Sequence, residues 1–197
     1  MAAYASQISY RHAARLTVVE TRTATIFAFR GSATIQEATH YLLNSNMAAA
    51  CFDTQVHNGV LREYAATVAP VVQLLKKEKN RLRIFAGHSM GGCIAQLAAL
   101  DMGADACYSF GAPGTGDTAF VRALEARVPE TYLVNTNLDL IATNAPFING
   151  QYSTARDYTN TLILNTPVGW TFAPHAPAAY VAAISASVSS ALNTRNL

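Results

Sequence analysis

Charged residues are scarce in this 197-residue chain, at 13% against about 25% in an average soluble domain. Neither sign dominates. Fourteen Lys and Arg stand against twelve Asp and Glu, and a formal charge of +2 excludes polyanion binding as the main business, so nucleic acid is not an expected partner. Cysteine is sparse too: Cys51, Cys93 and Cys107 are an odd number in a chain long enough to fold without staples. They lack the close C-x-x-C pairing of a zinc site, which leaves them as small buried hydrophobes. Long apolar runs are missing as well. The nearest approach, residues 176 to 192, is broken by Ser185, Ser187, Ser189 and Ser190 and fits a helix on a soluble core better than a transmembrane segment. The opening MAAYASQISYRHAARL has no cationic stretch followed by an apolar run, so no secretory signal is expected and the protein reads as intracellular or as a trimmed secreted one. Repeats, low-complexity linkers and shifts in composition are absent, which predicts one domain over 1–197.

What is present is ample apolar material, 51% of residues, arranged in alternating strand-like and helix-like stretches. Leu16 to Glu20 and Thr25 to Phe29 are rich in β-branched and aromatic residues and predict two strands joined by a tight turn. Apolar positions from Val60 to Leu75 follow a helical period, bent at Pro70, and the Lys and Arg residues from 76 to 83 read as its solvated end. Strands are then expected at Leu82 to Ala86, Ala106 to Phe110, Thr131 to Val134 and Thr161 to Leu164. Helices are expected at 90–102, 117–127 and 176–192. Strands alternating with helices predict an α/β fold with a mostly parallel central sheet flanked by helices.

Chemistry enters at Gly87-His88-Ser89-Met90-Gly91. This is a G-x-S-x-G sequence placed where a strand ends and a helix begins, and with eleven glycines in the chain it would arise by chance about 0.03 times. A sharp strand-to-helix turn crowds the backbone on both sides of the serine, and Gly87, Gly91 and Gly92 relieve that crowding. Ser89 is thus the expected nucleophile. A serine hydroxyl needs a base at neutral pH, and histidine has the pKa for that work. His12, His40, His57 and His88 all precede Ser89, so only His175 satisfies the order serine, acid, histidine of the α/β-hydrolase arrangement. Seven acids lie between the two. Catalytic groups gather beyond the carboxyl ends of parallel strands, which favours Asp139 after the 131–134 strand, disfavours Asp105, and keeps Asp117 and Asp157 as alternatives. Oxyanion donors should come from the amide of Met90 and from the strand end at Arg30-Gly31-Ser32.

These residues carry a family resemblance. The chain resembles the class 3, fungal-type lipases of the α/β-hydrolase superfamily through Phe29-Arg30-Gly31-Ser32, Val56-His57-Asn58-Gly59, Gly87 to Gly92, Phe110-Gly111-Ala112-Pro113, and Asn135 to Asp139. The resemblance implies a triad of Ser89, Asp139 and His175, an oxyanion hole from Ser32 and Met90, and a structural place for His57. It departs from the family at Gly114-Thr115-Gly116, where Arg-Val-Gly is common, and at Ala142, where a proline commonly follows the acid.

The expected reaction is hydrolysis of a carboxylic ester of the acylglycerol type through an acyl-enzyme, with no metal or organic cofactor. Phospholipids and short-chain or phenolic esters are alternative substrates on the same scaffold. A lipid-binding or interaction module without catalysis is the reading from another class, and the complete set Ser32, Ser89, Asp139 and His175 speaks against it. Residues 33–46 read as a lid, with Ile35, Ala38 and Leu42 on one helical face that could touch a lipid interface transiently.

Overall fold

The computed structural model describes residues 1–11, 15–34, 37, 46–68, 81–143, 152–166 and 173–194. Its centre is a six-stranded sheet in the order β1 (Leu16–Glu20), β2 (Ala24–Phe29), β5 (Leu82–His88), β6 (Ala106–Phe110), β7 (Thr131–Thr136), β8 (Thr161–Leu164). The β1 and β2 strands are antiparallel, joined at a turn where the Thr21 hydroxyl accepts the Ala24 amide, and every later pairing is parallel. A two-stranded ribbon of β3 (Met47–Ala49) and β4 (Gln55–His57) lies apart from it. This is a mixed α/β architecture with a mostly parallel sheet.

Helix α3 (Met90–Met102) runs through the core, and every residue from Met90 to Leu100 is buried. Over those residues it is apolar but for Gln96, whose Oε1 accepts from the Thr115 and Tyr158 hydroxyls, as suits a helix covered on every side. Its small residues let the backbone approach the sheet, while Ile94, Leu97 and Leu100 fill the remaining space at 1% exposure or less. Truncating either leucine to alanine would cost about 2 to 5 kcal/mol. On one side α2 (Asn58–Thr67) and α4 (Thr118–Arg127) pack against α3. Across the sheet, α1 (Ala2–Ile8) lies against β2, β5 and α6 (Pro177–Thr194). The inner face of α6 is Ala179, Tyr180 and Ala183, a helical spacing that turns its serine-rich side to solvent. No helix among the described residues is long and apolar enough to cross a membrane.

Several boundaries differ from the expectations. The β5 strand runs two residues past Ala86, so its last residue is the neighbour of the serine. The β7 strand continues through Asn135 and Thr136, which read as loop because they are polar; both are buried, and Asp139 stands three residues past the strand end. The helix expected from Val60 begins at Asn58 because His57 Nδ1 accepts the Gly59 amide at 3.0 Å and caps it. Pro70, the lysines up to 79 and most of the 33–46 segment expected to be a lid fall outside the described residues. All three cysteines are free; Cys93 and Cys107 are buried and Cys51 is half-buried.

Candidate active site

At the carboxyl edge of the sheet, the turn between β5 and α3 holds Ser89 at φ 58° and ψ −132°, a backbone conformation that L-residues seldom adopt. The surroundings hold it there. A Cβ on Gly87 would overlap the Gly91 carbonyl, and one on Gly91 would overlap the Phe29 carbonyl, so both neighbours of the turn must be glycine. The serine is only partly buried, its side chain free to meet a reactant, and its amide donates to the Phe110 carbonyl at 2.9 Å.

His175, just before α6, stands with Nε2 2.9 Å from Ser89 Oγ and Nδ1 2.7 Å from Asp139 Oδ2. Asp139 has no exposed surface. Its Oδ1 accepts the amides of Ile141 at 3.0 Å and Ala142 at 3.1 Å, the opening of the short helix α5 (Leu140–Thr143), and Tyr180 donates its hydroxyl to Oδ2. Burial pushes the carboxyl upward, yet the His175 contact and these donors outweigh it and hold Asp139 below the ordinary carboxylate range. A carboxylate kept ionised against the Nδ1 side of an imidazole fixes the proton there. The Nε2 facing Ser89 is then free to accept one.

The other acids take no part in this cluster. Asp117 caps α4 through the Phe120 amide, Asp157 forms a capping box with Thr154, and Asp105 accepts the Arg83 amide at the opposite edge of the sheet. Met90 is the first residue of α3, so its amide has no acceptor within the helix and points with the positive end of the helix dipole. Gly31 brings the second strand end close: a Cβ there would lie 2.9 Å from Ser89 Cβ, and Ser32 follows directly.

Sequence reasoning missed three contributors. Tyr180 lies five residues past His175, the one aromatic in an Ala- and Ser-rich helix, and that oddity was its signal. Gly111 has φ 57°, and a Cβ there would lie 2.9 Å from Asp139 Oδ2, so its motif serves the acid. His88, set aside by chain order, lies under His175 with ring centroids 4.7 Å apart, while its Nδ1 meets the Tyr10 hydroxyl at 2.8 Å. Burial, followed by the charge on His175, pushes its pKa down to about 3, so this second imidazole stays neutral.

A parallel sheet carrying a serine on a strained strand-to-helix turn, with a histidine and an acid from later strand ends, defines an α/β-hydrolase fold. The lipase (class 3) family profile matches residues 26–149, and the chain belongs to that family. Solved structures agree on the fold. A lipase from Rhizopus microsporus var. chinensis is 23% identical, with a TM-score of 0.55 over 64% of this chain and 50% of that one. The N225Q mutant of MDLA from Penicillium cyclopium is 19% identical, with a TM-score of 0.61 over 77% and 58%. A triacylglycerol lipase described as having a serine protease triad is 21% identical, with a TM-score of 0.56 over 71% and 70%. The chain thus spans between half and about 70% of the length of these proteins. No curated protein matches it.

Proposed function

We propose that this chain is a serine hydrolase that cleaves carboxylic esters of the acylglycerol type through an acyl-enzyme. The observation that carries the reading is the unbroken line from Ser89 Oγ to His175 Nε2 at 2.9 Å and from His175 Nδ1 to Asp139 Oδ2 at 2.7 Å. Ser89 Oγ attacks the ester carbonyl carbon while His175 Nε2 takes its proton. The carbonyl oxygen gains the negative charge and is received by the amides of Met90 and Ser32. His175 then protonates the departing alcohol, leaving an acyl-Ser89, and a water activated by the same imidazole releases the acid. Asp139 stays ionised throughout and stabilises the imidazolium.

Membership of the lipase family supports a lipid ester as substrate. So do three exposed apolar residues next to the acid in the chain, Leu138, Leu140 and Ile141, which are 48%, 68% and 50% exposed. The test is hydrolysis of p-nitrophenyl esters from acetate to palmitate by wild type and Ser89→Ala. Activity that vanishes with Ser89 is expected, with rate rising toward medium and long acyl chains. Well-folded wild-type protein that leaves every ester intact would overturn the reading.

A further inference from the structure

We propose that Tyr10 is a positioning residue for the oxyanion site, tying the end of β2 to the nucleophile turn and so setting where the Ser32 amide stands relative to Ser89. This rests on the ester-hydrolase reading above. The need for a tie follows from the sheet. The ladder between β2 and β5 ends at the pair Phe29 and Gly87, after which one chain turns into α3 and the other leads away through Arg30, Gly31 and Ser32. Beyond that pair, sheet hydrogen bonds no longer hold the two donors of the oxyanion site in register.

Tyr10 supplies the next link from a distant part of the chain. It lies in the 3-10 turn Ser9–Arg11, and its hydroxyl stands 3.1 Å from the Gly31 amide and 2.8 Å from His88 Nδ1. An amide can only donate, so Tyr10 Oη accepts from Gly31, and the same hydroxyl is hydrogen-bonded to His88 Nδ1. The two bonds join the residue before Ser32 to the residue before Ser89. The joint has no slack: a Cβ on Gly31 would lie 2.6 Å from the His88 carbonyl oxygen. On its far side Ser32 is bracketed as well, since Arg30 Nη1 donates to the Gly31 carbonyl at 3.1 Å and Glu37 Oε2 accepts the Ala33 amide at 2.7 Å. The Tyr10 ring packs edge-on against His88 at 5.7 Å between centroids. Removing the hydroxyl alone leaves that packing in place.

The experiment compares wild type with Tyr10→Phe on p-nitrophenyl butyrate, with active sites titrated by a p-nitrophenyl phosphonate. Binding of a trifluoromethyl ketone is measured in parallel, because Ser89 adds to its carbonyl and leaves a tetrahedral oxyanion. Expected are a fall of about tenfold in kcat per titrated site, KM within about twofold, and a Ki for the ketone raised in step with the loss of kcat. That lies between no effect and the 100 to 1,000-fold of deleting a donor outright. A second pair of variants reads the other end of the tie. His88→Asn puts its amide near the place of Nδ1 and should retain more activity than His88→Gln, whose amide reaches the place of Nε2. Unchanged kcat and ketone Ki per titrated site in Tyr10→Phe, with only a lower melting temperature, would overturn the inference and leave the hydrolase reading intact. A wild type inert to esters and ketone alike would overturn both.

Discussion

Gly87 and Gly91 lie back to back across the nucleophile turn, so close that a side chain on the first would overlap the carbonyl of the second. The serine between them is held at φ 58° by that contact and by the passage of Gly91 under the Phe29 carbonyl. Strain at Ser89 is therefore imposed by backbone packed on backbone, which cannot yield as a flexible side chain would.

Gly91→Ala should accordingly be among the most damaging single changes in the chain. The new methyl group must push β2 away from α3 or collapse the turn, and either outcome displaces Ser89 from His175. Loss of soluble folded protein, or a folded protein with at least a hundredfold lower kcat, is expected from melting curves and ester kinetics on the same preparation. A variant with wild-type stability and turnover would show that the turn is looser than its geometry.

How much of this could be read beforehand follows from local chemistry. The strands Leu16–Glu20, Ala106–Phe110 and Thr161–Leu164 and the helix Met90–Met102 have the bounds expected of them, since each is a run of one residue character with turn residues at its ends. The β3 and β4 strands are three residues each, too short to make a pattern, and α1 buries only Ala5 and Ser6. In the site, motif and chain order singled out Ser89 and His175. Among the acids, the place after a parallel strand favoured Asp139 and kept Asp117 and Asp157 as alternatives, and the folded chain spends those two on capping backbone amides. Tyr10 and Tyr180 were harder to place for a different reason: each meets residues far along the chain through its hydroxyl, and although Tyr180 stands out as the one aromatic of its helix, no spacing rule encodes what it meets.

Asp139→Asn tests the tautomer argument. Two amides, from Ile141 and Ala142, already donate to Oδ1, so an asparagine there must turn its carbonyl oxygen toward them and its NH₂ toward His175 Nδ1. The imidazole then carries its proton on Nε2, facing Ser89, and cannot accept another. A kcat loss on the order of 10⁴-fold is expected with the fold retained, as for other triads that lose the carboxylate in this way. A loss under about tenfold in ester kinetics would mean that Asp139 does not set the tautomer.

The segment leading from β2 is held by charge. Arg30 is 5% exposed and its guanidinium meets Glu37 at 3.1 and 3.3 Å, while Arg15 reaches the same carboxylate at 3.4 Å and Glu63 at 2.7 Å. Glu37→Gln leaves an almost fully buried guanidinium with its charge uncompensated on that side, and a loss of about 1 to 3 kcal/mol is expected in urea unfolding. A change below about 0.5 kcal/mol would rank the pair with ordinary exposed salt bridges.

Two buried histidines make stability fall with acid. Burial, with the charge of His175 adding to it, pushes His88 down to about 3, and burial pushes His57 down to about 4. In the unfolded chain both titrate near about 6.5. Between that value and about 4 the unfolded state therefore binds more protons than the folded one, so stability rises with pH across this window and is fully present above it. Each histidine contributes a slope of up to about 1.4 kcal/mol per pH unit. Asp139, held low in the fold, adds its own loss only once the pH drops below the unfolded carboxylate range of about 4. Urea unfolding at pH 7.5, 6.5, 5.5 and 4.5 should thus give a plateau followed by a steady decline, and His57→Gln should halve the slope of the decline whatever it does to the plateau. A decline that begins only below pH 4 would assign the acid sensitivity to carboxylates and leave the two histidines without a part in it.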